Sequence, residues 1–288
     1  MTSSTRTTLR ALVNARRGVL VPGAFNALSA RVIADLGFEA IYITGAGVTN
    51  MAFGMPDQGF MGLADIAEHT ARIRDAVCLP LIVDADTGFG NALNVRHTVR
   101  TLERAGADCI QLEDQVSPKR CGHFTGKDVI ATQEMVGKIK AAVDARHDQD
   151  LLIMARTDAR SVHGFEAAIE RAQRFSEAGA DILFIEACET AAEISALPQR
   201  LDKPQLVNLV IGGNTPILNA NALAGLGYGI VLYANAALQG AVAGMQKALT
   251  VLRDTQRLDE DPNLVTPFAE RQRLVDKPLW DSLEKRYT

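Results

Sequence analysis

No apolar run in this 288-residue chain approaches the length of a membrane span, so a transmembrane helix and a membrane partner are not expected. Positive charge is not in surplus either. The net charge is −4, and basic residues are scattered apart from short pairs such as Arg16-Arg17 and Lys119-Arg120, which gives no reason to expect nucleic-acid binding. The four cysteines form no CxxC pair. That argues against a disulfide framework and suits a reducing, cytoplasmic compartment. Cys78, Cys109 and Cys188 lie in or beside apolar runs and read as buried small hydrophobes. The first ten residues are polar with no apolar stretch behind their charges, so a secretory signal is not expected. No GxGxxG comes after the first apolar strand, which removes the signature of a dinucleotide fold. No linker, low-complexity tract or charge block divides the chain.

What is there is a soluble globular composition, 47% hydrophobic and 22% charged, arranged as a repeat. Short apolar strands are expected at 19–21, 40–43, 81–83, 109–112, 151–155, 182–185, 206–209 and 229–232. Several are apolar on successive residues, which fits parallel strands buried on both faces. Helical patterns occupy 27–36, 63–77, 92–104, 133–145, 165–178, 191–197, 219–226 and 236–257. Three helices end in related phrases, Leu36-Gly37-Phe38, Ala105-Gly106-Ala107-Asp108 and Ala178-Gly179-Ala180-Asp181. Each glycine suits the left-handed residue after a helix. Eight β–α units over about 250 residues describe a (β/α)8 TIM barrel, with a doubly wound open sheet as the weaker alternative. Residues 1–257 read as one barrel domain. Residues 258–288, with three prolines and the only tryptophan, Trp280, read as a tail docking on the barrel or on a neighbouring subunit.

A barrel keeps its active site at the carboxyl ends of its strands. Strand 2 runs into Thr44-Gly45-Ala46-Gly47, whose backbone N–H groups suit a carboxylate. Strand 3 ends Asp84-Ala85-Asp86-Thr87-Gly88, strand 4 Glu113-Asp114, strand 5 Arg156-Thr157-Asp158, strand 6 Glu186 and strand 7 Asn208. Acids crowded at one mouth call for a cation. Oxygen donors without a His–Cys set point to Mg²⁺ or Mn²⁺. The competing reading is an aspartate-rich turn that caps the next helix and pairs with Arg96 or Arg100. Beyond strand 4 comes Lys119-Arg120-Cys121-Gly122-His123, a thiol among cations, which lower a thiol's pKa. A solvated basic loop is the plainer alternative, with His123 merely ordering it. His69, His97, His147 and His163 have no matching acids and read as surface or satisfied residues. Met51, Met55 and Met61 read as core or lid packing.

These motifs, with Asn208 and Gly212-Gly213-Asn214-Thr215-Pro216, resemble the isocitrate lyase/phosphoenolpyruvate mutase superfamily, and within it the 2,3-dimethylmalate lyase and 2-methylisocitrate lyase branch. The resemblance runs from about Leu9 to Arg257. It implies a modified TIM barrel whose last helix is exchanged between subunits, commonly a homotetramer. It implies a Mg²⁺ site with Asp84 as direct ligand and Asp57, Asp86 and Glu113 on the metal's waters. Arg156, Gly45 and Ala46 would hold a substrate carboxylate, with Thr44, Asn208, Lys119, Arg120 and Gly122 also at the substrate. Residues 119–123 would close over the site, with Cys121 as the acid/base. His123 and Tyr42 complete the catalytic candidates, Tyr42 being suitably placed to take the 2-hydroxyl proton.

The implied reaction cleaves a 2-hydroxy di- or tricarboxylate to a 2-oxo acid and a carboxylic acid. Alternatives are an oxaloacetate hydrolase or decarboxylase, a phosphonate-forming mutase, and a non-catalytic barrel that binds a 2-oxo acid. Two residues depart from the lyase pattern. Ile211 stands where a glutamate is usual, and Thr44 where a serine is usual.

Overall fold

Eight parallel strands close into a barrel in chain order, with the last paired back onto the first. They are β1 (Val19–Ala24), β2 (Ile41–Ile43), β3 (Leu81–Asp84), β4 (Cys109–Glu113), β5 (Leu152–Thr157), β6 (Ile182–Ile185), β7 (Gln205–Asn208) and β8 (Ile230–Tyr233). The computed structural model describes residues 4–120, 122, 126–213 and 215–288. All eight expected strands and all eight expected helical stretches are present, and closure removes the open-sheet alternative.

Each strand feeds two cores because successive side chains point to opposite faces. Inside the barrel, Val21, Tyr42, Ile82, Cys109, Met154, Phe184, Leu206 and Leu232 pack together. Outside, Ile43, Val83, Ile110, Leu112, Ile153, Leu183 and Val231 pack under the helices. This double burial is why the strands read as apolar runs rather than alternations.

The floor of the barrel is a helix that the polar start of the chain concealed. Thr5–Asn14 is helical, capped by Ser4, whose side chain accepts from the Thr7 N–H. Leu9 and Val13, one turn apart, are buried in the inner cluster. Its polar residues fasten it to the lower rim. Thr5 donates to Asp108 at 2.6 Å, and Arg6 pairs with Asp148 at 2.8 Å and Glu103 at 3.2 Å.

The repeated helix endings do the same work each time. Gly37, Gly106 and Gly179 have φ of 81°, 102° and 103°. The aspartates just beyond two of them receive a strand N–H. Asp108 accepts from Leu81 and Asp181 from Ile153, at 2.8 and 2.9 Å. At Gly37 no atom lies within 4 Å of where a Cβ would stand, so Gly37→Ala isolates the backbone cost. The substitution is expected to lower stability by about 1–2 kcal/mol. Urea unfolding measures it, and an unchanged midpoint would contradict the left-handed assignment.

Besides the floor helix, five helical segments among the described residues were not anticipated: Gly45–Val48, the π-helical Thr49–Phe53, Ala159–His163, and in the tail Phe268–Leu274 and Lys277–Tyr287. The tail meets its own barrel through Arg273, which grips Asp35 on helix Ala27–Asp35 with contacts of 2.7 and 2.6 Å. It nevertheless leaves Phe268 and Trp280 exposed. Cys78 corrects the reading of the cysteines: it is exposed in the turn before β3, whereas Cys109 and Cys188 are buried. Met61 is buried, while Met51 and Met55 are exposed. No helix among the described residues is long and apolar enough to cross a membrane.

Candidate active site

The carboxyl ends of β3 to β7 bring Asp84, Glu113, Arg156, Glu186 and Asn208 to one mouth, all buried. Residues 84–90 leave β3 through an unusual backbone. Asp86 and Phe89 have φ of 46° and 58°, and Gly88 and Gly90 are also positive. For a residue other than glycine this conformation costs about 1–3 kcal/mol and tends to persist at functional sites. It turns the Asp86 carboxylate back toward Asp84 and Lys119.

Asp84 is held from three sides. Its Oδ1 accepts from Gln111 Nε2 at 3.1 Å and from the Asp86 N–H at 3.2 Å, and its Oδ2 lies 3.4 Å from the Gly45 N–H. Gly45 leaves room for this. A Cβ there would stand 3.1 Å from Asp84 Oδ2 and 3.5 Å from Asp86 Oδ1. Thr44 caps the short helix after β2 by accepting from the Gly47 N–H at 3.2 Å, and Ala46 is half-buried beside it. Asp84 and Asp86 face these partners rather than Arg96 or Arg100.

Lys119 reaches in from the loop after β4. Its ammonium lies 2.5 Å from Asp57 Oδ1 and 2.8 Å from Asp86 Oδ1. Burial, Asp84 and Asp57 push the Asp86 carboxyl up to about 7, against the pull of Lys119. Burial penalises the Lys119 charge, but Asp86 and Asp57 more than offset that and hold its pKa well above the usual lysine value. Lys119, expected at the substrate, therefore also binds two of the acids expected around the metal.

Arg156 is the second buried cation. It forks onto Asp158, with Nε 2.9 Å from Oδ2 and Nη2 3.1 Å from Oδ1. Its Nη1 lies 3.3 Å from Glu113 Oε2 and 3.5 Å from Glu186 Oε2, and the guanidinium sits 5.3 Å from the Phe184 ring centre. Burial opposes its charge, while Asp158, Glu113 and Glu186 raise its pKa well above the ordinary arginine value. Burial also pushes the Glu113 carboxyl well up despite Arg156. Glu186 was visible as a strand-end acid, but nothing in its sequence context gave it a role. Here it touches both Arg156 and Asn208 Nδ2, the latter at 3.4 Å.

Asp114 and Asp158 separate from the mouth acids by their partners. Asp114 accepts from the Thr157 hydroxyl at 2.6 Å and the Asp158 N–H at 2.9 Å, and pairs with Arg171 at 3.1 Å. Burial raises its carboxyl to about 6 against those bonds. It shapes the backbone from which Asp158 grips Arg156.

The loop after β4 is zipped at its base. Gln115 bridges to Val129, and its side chain donates to the Arg120 carbonyl and accepts from the Arg120 N–H, both at 2.8 Å. Lys127 donates to the Gly122 carbonyl and to Asp158 Oδ1, the latter at 3.1 Å. Gly122 lies on the charged cluster: a Cβ there would stand 2.6 Å from both Arg156 Nη2 and Glu186 Cγ. Cys121 and His123 lie outside the described residues, as does Asn214. Tyr42 is buried, and its hydroxyl donates to Gln111 Oε1 at 2.9 Å. Burial and Asp84 push its pKa well above the tyrosine value, so it stands as a neutral phenol. Ile211 is 46% exposed on the turn after β7.

Among the described residues, no three His, Cys, Asp or Glu side chains gather closely enough to hold a metal by themselves. The donor set still fits a hard cation that keeps its waters. It consists of oxygens only, Glu113 Oε1 is buried without a hydrogen-bond partner, and Mg²⁺ takes one or two carboxylates directly.

The family model for phosphoenolpyruvate phosphomutase matches residues 9–253. A 2,3-dimethylmalate lyase of Eubacterium barkeri is 41% identical over 284 residues, covering 99% of this chain and 98% of that one. A 2-methylisocitrate lyase of Aeropyrum pernix is 43% identical over 278 residues, covering 96% and 88%. A crystal structure of a 2,3-dimethylmalate lyase superimposes with a TM-score of 0.93 at 34% identity, covering 100% of this chain and 96% of that one.

Proposed function

The chain belongs to the phosphoenolpyruvate phosphomutase family, and from that premise we propose that it is a carbon–carbon lyase cleaving a 2-hydroxy dicarboxylate of the 2-alkylmalate kind. The products are a 2-oxo acid such as pyruvate and a carboxylic acid. The observation that carries this reading is the union, at one barrel mouth, of an all-oxygen acid cluster with the buried guanidinium of Arg156. The relatives whose names specify lyases of such acids extend over nearly the whole chain.

The reaction moves one proton out and one in. The 2-hydroxyl loses its proton, the C2–C3 bond breaks, and C3 leaves as a carbanion stabilised by its carboxylate and is then protonated. A Mg²⁺ or Mn²⁺ held by Asp84, with Asp57, Asp86 and Glu113 on its waters, would supply Lewis acidity at the substrate's 2-oxygen and neighbouring carboxylate. Arg156 is fixed in place by Asp158 before substrate arrives, so its positive charge needs no reorganisation to stabilise developing negative charge. Gly45 and Ala46 would offer backbone N–H groups to a carboxylate, the Gly45 N–H being held otherwise only by its long 3.4 Å contact to Asp84 Oδ2. Cys121 delivers the proton to C3 and, in condensation, removes it. Gly122 and Lys119 bring the loop onto the cluster and exclude water from the carbanion.

Ile211 shapes the substrate preference. On the turn after β7, three residues beyond Asn208, it supplies an apolar side chain and no carboxylate. An alkyl group gains about 0.8 kcal/mol per CH₂ buried there, whereas an unpaired polar group costs roughly 1–3 kcal/mol. Pyruvate release from 2,3-dimethylmalate should therefore exceed that from 2-methylisocitrate in kcat/KM, with Mg²⁺ present. The reverse order would overturn the pocket reading, and oxalate release from oxaloacetate as the main activity would overturn the lyase assignment.

The quaternary reading is a homotetramer with helix exchange. On helix Ala236–Thr255, the residues Val242, Met245, Leu249 and Leu252 fall on one face and are all exposed. Beside the start of that helix runs a groove of about 640 Å³ lined by Phe25, Leu28, Val32, Leu36 and Met51. A helix from a second copy would cover such surfaces, and exposed apolar patches of this kind mark interfaces. Light scattering at micromolar concentration should report an oligomer. A monomer there would remove the exchange.

A further inference from the structure

Gln111 is fully buried on β4, inside the barrel one residue pair below Glu113. Cys109 shares its face two residues earlier on β4, and Met154, its register partner on β5, belongs with Cys109 to the apolar inner cluster. A buried amide is costly unless both of its ends are bonded. Here both are: Nε2 donates to Asp84 Oδ1 at 3.1 Å, and Oε1 accepts from the Tyr42 hydroxyl at 2.9 Å. Asp84 and Gln111 are also direct partners in the β3–β4 register.

The orientation is dictated by the chemistry of the partners. The amide turns its NH₂ to Asp84, whose Oδ1 also accepts from the Asp86 N–H, so both contacts use that oxygen as an acceptor. Its oxygen then faces Tyr42, and the tyrosine must donate. With its proton committed to Gln111, the Tyr42 oxygen offers only lone pairs to anything else that approaches it. It can accept a hydrogen bond from a hydroxyl or a water, but cannot donate one.

We propose that Gln111 is a positioning residue that fixes Asp84 for metal binding and sets Tyr42 as an acceptor. Oδ1 of Asp84 is filled by Gln111 from beneath and by the Asp86 N–H, which leaves Oδ2, held only by the long 3.4 Å contact from the Gly45 N–H, as the oxygen offered to a cation. The inference rests on Asp84 being the direct metal ligand of the proposed lyase. Residues that orient a metal ligand typically contribute 10–100-fold in metal affinity.

The test is Mg²⁺ binding by calorimetry, without substrate, for the wild type and for Gln111→Met, which keeps the side-chain length and removes both polar ends. The Kd for Mg²⁺ should rise on the order of tenfold or more, and the Mg²⁺ concentration for half-maximal turnover should rise with it. Tyr42→Phe removes only the hydroxyl that orients the amide and should raise the Kd by a smaller factor. An unchanged Kd in Gln111→Met overturns the inference alone. Should that variant not fold, an unchanged Kd in Tyr42→Phe overturns it instead. A wild type that binds no Mg²⁺ overturns the metal reading and this inference together.

Discussion

Arg156→Met is expected to lower folding stability by about 3–5 kcal/mol and to remove turnover. The stability loss comes from what the guanidinium leaves behind. Asp158 loses a two-point fork, and Glu113 and Glu186 lose the cation between them. All three acids are buried. Breaking a buried pair from one side costs that much because a charge is stranded away from water. Arg156→Lys should recover only part of it, since an ammonium cannot fork onto Asp158 while reaching both glutamates. The sign of the pH dependence is fixed by the same geometry. Burial already pushes Glu113 upward in the wild type, and removing Arg156 takes away the largest opposing influence. A carboxyl with a folded-state pKa above its unfolded value favours folding when protonated, so the variant's deficit should shrink as pH falls from 8 toward the unfolded carboxyl range near 4. Urea unfolding across that range measures it. A variant within about 1 kcal/mol of wild type at pH 8 would mean that the acids are already neutral and that Arg156 is not their counter-ion.

The strand ends show how much of this site was legible beforehand. Asp84, Glu113 and Arg156 stood out because each closes an apolar strand of a recognisable eightfold repeat. Asp114 and Asp158 looked equivalent to them in composition. The difference lies in direction. Along β4, Cys109, Gln111 and Glu113 share the inner face, so Asp114 is turned outward, where Thr157 and Arg171 hold it. Strand periodicity alone could have made that distinction, and it would also have exposed Gln111 as a polar residue inside the barrel. The acids stand at the strand ends in plain view, whereas Gln111 sits within a strand, masked by the apolar run around it. The floor helix was hidden for a different reason. Thr5, Arg6 and Arg10 make its first turns polar, yet those groups are consumed by Asp108, Glu103, Asp148 and Asp181 across sequence separations of roughly a hundred residues or more. Only Leu9 and Val13, one turn apart behind a serine cap, signalled it. Lys119 illustrates the remaining limit. A lysine in a basic loop gives no local sign that it will end between two aspartates, Asp57 and Asp86, that lie 62 and 33 positions earlier in the chain.

Cys121→Ser is expected to reduce turnover by roughly 10²–10⁴-fold while leaving the binding of substrate or of the product 2-oxo acid within a few-fold of wild type. The chemical reason is that a serine hydroxyl keeps the size of the thiol but is far too weak an acid to protonate the departing carbanion at a useful rate. The structural reason for expecting binding to survive is that the described residues of the loop have anchors of their own. Gln115 holds the Arg120 backbone from one side, Lys127 ties the Gly122 carbonyl to Asp158 from the other, and Lys119 anchors to Asp57 and Asp86. A Cβ on Gly122 would stand 2.6 Å from both Arg156 Nη2 and Glu186 Cγ, and the proposed acid/base, Cys121, is its neighbour in sequence. The measurement is kcat for pyruvate formation beside calorimetric binding of the same variant. Loss of both together would assign Cys121 to loop closure rather than proton transfer. A near-normal kcat would remove the thiol from the reaction and move the protein toward the hydrolase or decarboxylase chemistry, in which the metal and Arg156 alone carry the charge.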